Sequence, residues 1–443
     1  MKHVLIFGAG RSSLYLIEYL ASYCVANDLQ LTVCDRETEY AMSNVKDTSH
    51  VEFVPLDIFD TAKVSFLIQD STLVVSLLPA DLHIHIARLC LSYKKNLATA
   101  SYISEEMKEL DAEVKGSNLV FLNEMGLDPG IDHLSAMKMM DQIRSESGEI
   151  ISFESYCGGL VADEDDGDNP WKYKFSWNPR NVVLAGQGPP AQYLDEGKLK
   201  LVPYHHLFRY AEKFEIEGYG TLEGYPNRDS LKYMSAYGLD HVTKMIRGTL
   251  RKPGYCSAWQ ALVSAGLTDN TTILEFEEGT SLKDWVNSFL PKSSLPLREN
   301  ISRYTQCGEK DVARLEWLGL FSNEPLPLFR GTSAQILEEL LKKKWQLEAT
   351  DHDLVVMLHR IKYVRGGSTF KYMATMVRKG ESNTHTAMAM TVGLPLAIGC
   401  RLILEDKVKV RGVVAPVTKD IYEPVMQELE TFGIRFIEKI SAI

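Results

Sequence analysis

The chain has 443 residues, which at roughly 150 residues per domain is enough for two or three domains and excludes a peptide scaffold. Its 48 basic and 59 acidic residues give a formal net charge of −11, which argues against a nucleic-acid backbone as the main partner. Hydrophobic residues make up 45% and charged residues 24%, an ordinary globular composition that excludes wholesale disorder and a membrane bundle.

Apolar, β-rich runs alternate with segments of helical period through the first 125 residues. The predicted strands are residues 4–7, 30–34, 51–55, 72–77, 96–99 and 119–122. The predicted helices are residues 12–21, 60–68, 80–91 and 105–115. Because this alternation is typical of a parallel sheet with crossover helices, it predicts a doubly wound, Rossmann-type α/β domain.

The composition and the hydrophobic periodicity change after Gly148. Tyr, Trp and Gly become frequent there, and the apolar residues follow no single period. This predicts a second, α+β domain, with a sheet and long loops up to about residue 219 and a helical subdomain at about 231–345. From residue 386 the pattern is again α/β and ends in a strong helix at 420–432. We therefore predict a first domain at 1–132, a second at 133–385, and a return to the first at 386–443.

Signals for targeting, membranes and disulfides are weak. The apolar run at 4–7 is too short for a secretory signal, and we expect no segment with the roughly 20 apolar residues of a membrane span. The seven cysteines are scattered without a Cys-x-x-Cys pair, which indicates reduced thiols. We expect a cytoplasmic protein with neither a nucleic-acid nor a membrane partner.

We predict no metal site. The pairs His83/His85 and His205/His206 have no nearby third ligand, so we interpret them as structural histidines. The acidic run 163–168 lacks the spacing of an EF-hand, and we interpret it as a solvated loop.

A glycine-rich turn follows the first predicted strand, with the sequence Gly8-Ala9-Gly10-Arg11-Ser12-Ser13. The first glycine permits the tight turn, and the second leaves room for a pyrophosphate at the N-terminus of the next helix. The third position is Ser13, where Gly or Ala is usual. This context predicts binding of NAD or NADP.

The choice between the two cofactors stays open. Asp35 ends the second strand, where a carboxylate accepts hydrogen bonds from a ribose 2′-OH and favours NAD, but the adjacent Arg36 could offset its repulsion of a 2′-phosphate. The loop after the fourth strand, which begins at Ser76 and Leu77, is either a second cofactor contact or a plain strand-turn-helix connection. The predicted cofactor-binding residues are Gly8, Gly10, Arg11, Ser12, Ser13, Asp35, Arg36, Ser76 and Leu77.

A polar loop with the sequence Asn-Glu-Met-Gly-Leu-Asp-Pro-Gly-Ile-Asp-His at 123–133 follows the sixth strand. Loops at the carboxyl ends of parallel strands are natural active-site elements. We favour a chemical role for Asp128, whereas we expect Asp132 to be the N-cap of the helix that follows.

Several motifs resemble those of the saccharopine dehydrogenase family, and most closely its glutamate-forming saccharopine reductases. The motifs lie at 8–13, 99–102, 123–133, 155–160, 168–177, 226–230 and 247–251. This resemblance implies hydride transfer between NAD or NADP and the imine that joins aminoadipate semialdehyde to glutamate, a reaction of lysine metabolism. It also implies a substrate and dimerisation role for the second domain, and a homodimer.

The resemblance also implies site residues. The positions that match catalytic residues are Asp128, Tyr102 and Cys157, although a lone cysteine such as Cys157 is usually a small core residue. The positions that match substrate contacts are Ser101, Tyr102, Asp128, Arg228, Arg247, Gly248 and Thr249. Guanidinium groups suit this role because they bind carboxylates bidentately.

The sequence leaves two alternatives open. A related imine reductase, such as a carboxynorspermidine dehydrogenase, would need acidic residues in its pocket to bind a polyamine. A catalytically silent NAD(P)-binding scaffold would need the glycine-rich turn and Asp35, but neither Asp128 nor Arg228.

Overall fold

The computed structural model describes residues 2–443. The strands of this part of the chain are β1 His3–Phe7, β2 Gln30–Asp35, β3 Glu52–Pro55, β4 Leu73–Ser76, β5 Asn96–Thr99, β6 Val120–Leu122, β7 Glu149–Val161, β8 Ala191–Asp195, β9 Lys198–Val202, β10 Glu212–Ile216, β11 Gly220–Pro226, β12 Lys244–Arg251, β13 Ile273–Glu275, β14 Arg330–Thr332, β15 Asp353–Arg365, β16 Ser368–Lys379, β17 Gly412–Val414 and β18 Ile437–Ala442.

The α-helices of the same residues are α1 Leu14–Ala26, α2 Glu39–Asn44, α3 Thr61–Asp70, α4 His83–Ser92, α5 Glu105–Glu109, α6 Asp111–Gly116, α7 Ile131–Ser145, α8 Pro179–Val183, α9 Tyr255–Ser264, α10 Leu282–Ser288, α11 Leu297–Thr305, α12 Glu309–Trp317, α13 Ser333–Lys344, α14 Ala387–Leu404 and α15 Lys419–Thr431. Short 3₁₀ turns precede α1 at Arg11–Ser13 and α4 at Ala80–Leu82.

The chain divides into two compact units. Unit 1 comprises the residues up to Gly148 together with Thr384–Arg435, and unit 2 comprises Glu149–Asn383 with Phe436–Ile443. The sheet of unit 1 has the order β17-β6-β5-β4-β1-β2-β3, and all of its neighbouring strands are parallel. The predicted doubly wound sheet is thus confirmed. Its strand order reverses between β1 and β4, the point where such sheets bind ligands.

The apolar strands β1 and β4 are buried along their full length, as expected for a parallel sheet covered on both faces. The core of unit 1 also contains α14, which is long and apolar enough by length and composition to cross a membrane. The expectation that no segment passes this test was therefore wrong. Because 89% of the apolar window of α14 is buried within the structure, the helix has the burial of a core helix.

Unit 2 contains a nine-stranded sheet in which β10-β11-β12-β7-β15-β16-β18 are adjacent, while β8 pairs with β12 and β9. Only β12 and β7 run parallel to each other among these pairs. The strand β12 lies inside the segment predicted to be helical, so that prediction was wrong for residues 244–251. The strand is fixed by its pairing with β11 and with β7, and β7 lies far earlier in the chain, so a local hydrophobic period does not reveal it.

The unit boundaries differ from the predicted ones in two places. The first division falls at Gly148 rather than at 132, because α7 packs against α15, where the Tyr422 hydroxyl donates to Asp141 at 2.6 Å. The chain also leaves unit 1 again at Arg435, because β18 pairs antiparallel with β16 in unit 2. The prediction that all of 386–443 returns to the first domain was therefore wrong for the last eight residues.

Candidate functional site

The turn between β1 and the following helix requires glycine at position 8. Gly8 has φ +110°, and its N–H donates to the Cys34 carbonyl at 2.9 Å. A Cβ atom there would lie 2.9 Å from the Leu77 carbonyl oxygen. The structure thus brings together two residues that the sequence assigned to the cofactor, from the loops after β1 and β4.

Gly10 differs from Gly8 because no protein atom lies within 4 Å of a Cβ built on it. Its φ of −76° is also open to any residue. Ser13 is buried beside it and donates its hydroxyl to the Gly10 carbonyl at 2.8 Å, so Ser13 fills the helix-packing position usually held by Gly or Ala. The space above Gly10 therefore fits a pyrophosphate at the helix N-terminus.

This difference yields a prediction for Gly10→Ala. We expect the thermal midpoint to stay within about 1 °C of wild type, while the dissociation constant for NADP⁺ rises at least roughly tenfold, because the added methyl occupies ligand space only. Gly116→Ala is the matched control, since a Cβ at Gly116 also meets no atom within 4 Å. Fluorescence titration and calorimetry measure the two quantities, and unchanged NADP⁺ affinity would contradict the assignment of the turn.

The Asp35 carboxylate accepts hydrogen bonds from backbone groups of the protein. Its Oδ2 accepts the Ala9 N–H at 2.7 Å and its Oδ1 accepts the Glu37 N–H at 3.2 Å. The carboxylate therefore fixes the glycine-rich turn, a role that the sequence motif alone did not reveal. Arg36, which follows Asp35 in the chain, and Arg11, which lies in the glycine-rich turn, are both exposed. Neither forms an ion pair with any residue in the described part of the molecule.

His83 lies at the start of α4 and bridges two predicted site residues. Its Nδ1 is 2.8 Å from the Ser76 hydroxyl and its Nε2 is 2.7 Å from the Ser101 hydroxyl, with Thr99 Oγ1 at 3.5 Å. Burial lowers the pKa of His83 to about 4, against the opposing effect of Asp81. The ring is therefore neutral at pH 7. The interpretation of His83 as a structural histidine did not include its contacts with two predicted site residues.

The lowered pKa of His83 predicts a pH dependence of stability. The folded-state pKa of about 4 lies below the unfolded value of 6.5, so the unfolded chain binds the proton first as pH falls. The contribution is intact above pH 6.5 and is lost between pH 6.5 and 4, by about 2 kcal/mol at pH 5. Urea unfolding of wild type and His83→Gln at pH 7 and pH 5 measures this, and equal pH slopes in the two proteins would contradict it.

The loop at 123–133 is held by buried polar groups and by two glycines. The Glu124 and His133 side chains are fully buried, with Oε2 and Nε2 2.9 Å apart. The Glu124 Oε1 accepts the N–H of Ile103 at 2.9 Å, which ties this loop to the segment after β5. A Cβ on Gly130, at φ +146°, would lie 1.9 Å from the Gly126 carbonyl oxygen, so the backbone there tolerates only glycine.

This anchoring brings together two predicted catalytic residues. The Tyr102 hydroxyl donates to Asp128 Oδ1 at 2.9 Å, and both side chains are half-buried. Asp132, in contrast, is not the N-cap of α7. That position belongs to Gly130, and the Asp132 carboxylate lies in the first turn, where it accepts the Gly130 N–H at 2.6 Å.

In unit 2, the predicted substrate residues Arg247, Gly248 and Thr249 lie on β12. Arg247 is buried, with its guanidinium carbon 4.6 Å from the centroid of the Tyr233 ring. Gly248 is required because a Cβ there would lie 2.3 Å from the Tyr156 ring. Contact with an aromatic face orients a guanidinium while leaving the N–H groups at its edge able to donate hydrogen bonds.

The remaining predicted residues of unit 2 occupy different environments. Cys157 on β7 is buried and is the register partner of Thr249 on the parallel strand β12. Arg228 is exposed, with φ +38°, in the turn after β11. Arg251, which ends the 247–251 motif and is not one of the predicted substrate contacts, is buried with its guanidinium carbon 5.2 Å from each of the Tyr173 and Tyr255 ring centroids, and it belongs to the aromatic core.

Comparison with known families explains this combination of motifs. Residues 126–434 match the family model described as saccharopine dehydrogenase C-terminal domain. Residues 4–122 match the one described as saccharopine dehydrogenase NADP binding domain. The chain belongs to the saccharopine dehydrogenase family. The sequence resemblance is thereby confirmed over both domains.

Members of the saccharopine dehydrogenase family match along the whole chain. The chain is 33% identical to saccharopine dehydrogenase [NADP(+), L-glutamate-forming] from Saccharomyces cerevisiae, with 100% of both chains covered. It is also 33% identical to alpha-aminoadipic semialdehyde synthase from Arabidopsis thaliana, but spans only 44% of that longer protein. The solved structure of the apo yeast enzyme superposes with a TM-score of 0.88, at 32% identity and 100% coverage of each chain.

Proposed function

We propose that the protein is an NADP-dependent saccharopine dehydrogenase of the L-glutamate-forming type. The observation that carries this proposal is the full-length match to the yeast enzyme, at 33% sequence identity and with a TM-score of 0.88. The reaction interconverts saccharopine with glutamate and aminoadipate semialdehyde through an imine. Each unit, taken by itself, has side chains that suit particular steps of this reaction.

The cofactor assignment rests on unit 1. Bound NADP⁺ supplies a hydride acceptor, and the glycine-rich turn with Ser12, Ser13 and the loop of Ser76 and Leu77 is proposed to hold it. The argument for NAD requires an Asp35 carboxylate that is free to accept hydrogen bonds from a ribose. Because both Asp35 oxygens accept backbone N–H groups, we instead assign the 2′-phosphate to the exposed guanidinium groups of Arg36 and Arg11.

We expect Arg36→Ala to raise KM for NADP⁺ about tenfold or more and to leave KM for NAD⁺ within about twofold, because only NADP⁺ carries the 2′-phosphate. Arg88→Ala is the matched control, since Arg88 is an exposed arginine on α4 of the same unit. Initial rates with each cofactor at saturating saccharopine measure the ratio. A proportional change for both cofactors would contradict the assignment of Arg36.

Proton transfer is assigned to the pair of Asp128 and Tyr102. After hydride loss the substrate carbon is part of an iminium, and water must add to that carbon while a proton leaves the water. Asp128 is proposed to accept this proton and to return it to the nitrogen of glutamate. As the carbon–nitrogen bond breaks, Asp128 then takes the proton of the carbinolamine hydroxyl, which leaves the aldehyde and the free amine. The Tyr102 hydroxyl, which donates to Asp128 at 2.9 Å, orients the carboxylate for these transfers.

Carboxylate recognition is assigned to Arg247 and Thr249 on β12, with Arg228 as a further cationic group. The buried Arg247 is oriented by Tyr233, and a desolvated guanidinium binds a carboxylate strongly. Gly248 is proposed to allow close approach of the substrate to the strand. Cys157 lines the same region of the sheet, as the register partner of Thr249, and no proton-transfer step needs its thiol.

The alternatives are less well supported. A polyamine substrate would need acidic groups, whereas the predicted substrate residues of β12 and its neighbouring turn include two arginines. A silent scaffold would not need the ordered Tyr102–Asp128 pair. The test is a spectrophotometric assay with saccharopine and NADP⁺ or NAD⁺. Absorbance of the reduced cofactor should rise faster with NADP⁺, and no rise with either cofactor would overturn the proposal.

We further propose that the protein is a cytoplasmic homodimer. The proposal of a dimer rests on the family resemblance, and that of a reducing compartment rests on seven free cysteines. Light scattering should give twice the chain mass of 49.9 kDa, and a monomer mass would contradict the dimer. Microscopy of a fluorescent fusion measures the compartment, and an organellar or membrane signal would contradict cytoplasmic residence.

A further inference from the structure

The imidazole of His83 joins two hydroxyl groups that have different surroundings. Ser76 is completely buried at the end of β4, and its hydroxyl lies 2.8 Å from His83 Nδ1. Ser101 is half-buried after β5, and its hydroxyl lies 2.7 Å from His83 Nε2. The two hydroxyls thus occupy opposite ring nitrogens, of which a neutral imidazole protonates only one.

The burial of Ser76 decides which nitrogen carries the proton. Within the described part of the chain, His83 Nδ1 is the only hydrogen-bond partner of the Ser76 hydroxyl. A buried hydroxyl proton without an acceptor is costly, so Ser76 donates and Nδ1 accepts. The ring proton therefore lies on Nε2, and His83 donates it to the Ser101 oxygen.

This tautomer leaves the Ser101 hydroxyl proton available. The Ser101 backbone is already used, since its N–H donates to Thr99 Oγ1 at 3.3 Å and its carbonyl accepts the Glu124 N–H at 3.1 Å. Because the Ser101 oxygen accepts the hydrogen bond from His83, the Ser101 hydroxyl can donate one hydrogen bond to a ligand. This arrangement favours a ligand group that accepts a hydrogen bond. A hydrogen bond from a hydroxyl to a carboxylate is stronger than one to a neutral oxygen.

We propose that His83, whose tautomer is set by the buried Ser76, is a positioning residue that keeps the hydroxyl proton of Ser101 free for a substrate carboxylate. Ser101 itself is one of the substrate contacts that the family resemblance implies. The inference rests on the proposed function for the identity of the substrate and assigns the proton that the proposed function leaves unassigned. It makes the buried Ser76, through the tautomer of His83, a determinant of substrate affinity.

Calorimetric titration of the NADPH-loaded protein with saccharopine tests this pairing without requiring turnover. We expect Ser101→Ala to weaken saccharopine binding by about 10- to 100-fold, the usual range for a hydrogen bond to a charged group. His83→Asn should weaken it similarly, whereas His83→Gln should restore much of the affinity, because only the longer glutamine places an N–H near the Nε2 position. Equal losses in the two His83 variants would overturn the inference.

A double-mutant cycle separates positioning from a general structural effect. In the Ser101→Ala background, His83→Asn should cause no further loss of saccharopine affinity, because His83 acts through Ser101. Independent, additive losses would overturn the inference. His85→Gln is the matched control on the same helix, and we expect its saccharopine affinity to equal that of wild type.

Two further readouts make the outcome independent of folding defects and of the proposed function. Nitrogen-15 NMR of labelled histidine should show His83 with its proton on Nε2, and a proton on Nδ1 would overturn the inference. If wild type binds saccharopine with the expected variant losses but does not oxidise it, the proposed function fails and the inference stands. If wild type oxidises saccharopine and Ser101→Ala binds it normally, the inference fails and the proposed function stands.

Discussion

Asp128→Asn is expected to lower saccharopine turnover by about two to four orders of magnitude, the usual contribution of a general acid–base group. The amide has nearly the shape of the carboxylate, and its oxygen can still accept the Tyr102 hydroxyl that lies 2.9 Å from Asp128. It cannot take a proton from water or return one to the departing amine. The change therefore removes the chemistry while keeping the contact.

The NADP⁺ dissociation constant of Asp128→Asn should stay within about twofold of wild type, because the assigned role lies in proton transfer and not in cofactor binding. Asp57→Asn is a suitable control, since Asp57 is an exposed aspartate in the same unit. Stopped-flow measurement of the first turnover, with cofactor titration, provides both quantities. Unchanged turnover would defeat the assignment of Asp128, and a large loss of cofactor affinity would place it in the nucleotide site.

Gly130→Ala is expected to have the largest effect on stability. A Cβ at this position would lie 1.9 Å from the Gly126 carbonyl oxygen, and the residue has φ +146°. The atoms that this Cβ would meet belong to the Gly126 backbone and not to a flexible side chain, so the backbone of the loop would have to move. We expect a destabilisation of roughly 3 kcal/mol or more, together with loss of turnover because Asp128 lies within this loop.

Gly367→Ala is the matched control for this substitution. Gly367 also has a positive φ, +81°, but a Cβ there meets no atom within 4 Å. Only the left-handed strain of about 1 kcal/mol should remain. Thermal unfolding monitored by calorimetry gives both values, and similar midpoints for the two variants would show that the loop at 126–130 is more deformable than its packing indicates.

Much of unit 1 could be predicted from the sequence because its signals are local. Apolar runs such as 4–7 and 72–77 alternate with helical periods, and this alternation specifies a parallel sheet whatever its exact packing. The glycine-rich turn could also be predicted, because the glycine at position 8 itself indicates a backbone conformation with positive φ. A local signal fails at β12, which was predicted to be helical, because one of its neighbours in the sheet is β7, far earlier in the chain.

The roles of individual polar side chains were less predictable. Asp35 matches a ribose-binding position, yet its carboxylate accepts N–H groups of Ala9 and Glu37. His83 was set aside as a histidine without a third metal ligand, although it joins Ser76 to Ser101. Such roles depend on which groups meet after folding, and residue type and spacing do not encode that directly.

The sequence by itself determined the family, the doubly wound sheet and the positions of the glycine-rich turn and the 123–133 loop. Only the tertiary structure decided which polar groups lie within hydrogen-bonding distance, as for Tyr102 with Asp128 and Glu124 with His133. The physical reason is that hydrophobic periodicity and glycine requirements act within a few residues, whereas hydrogen bonds between side chains require atoms about 3 Å apart that folding brings together from distant segments.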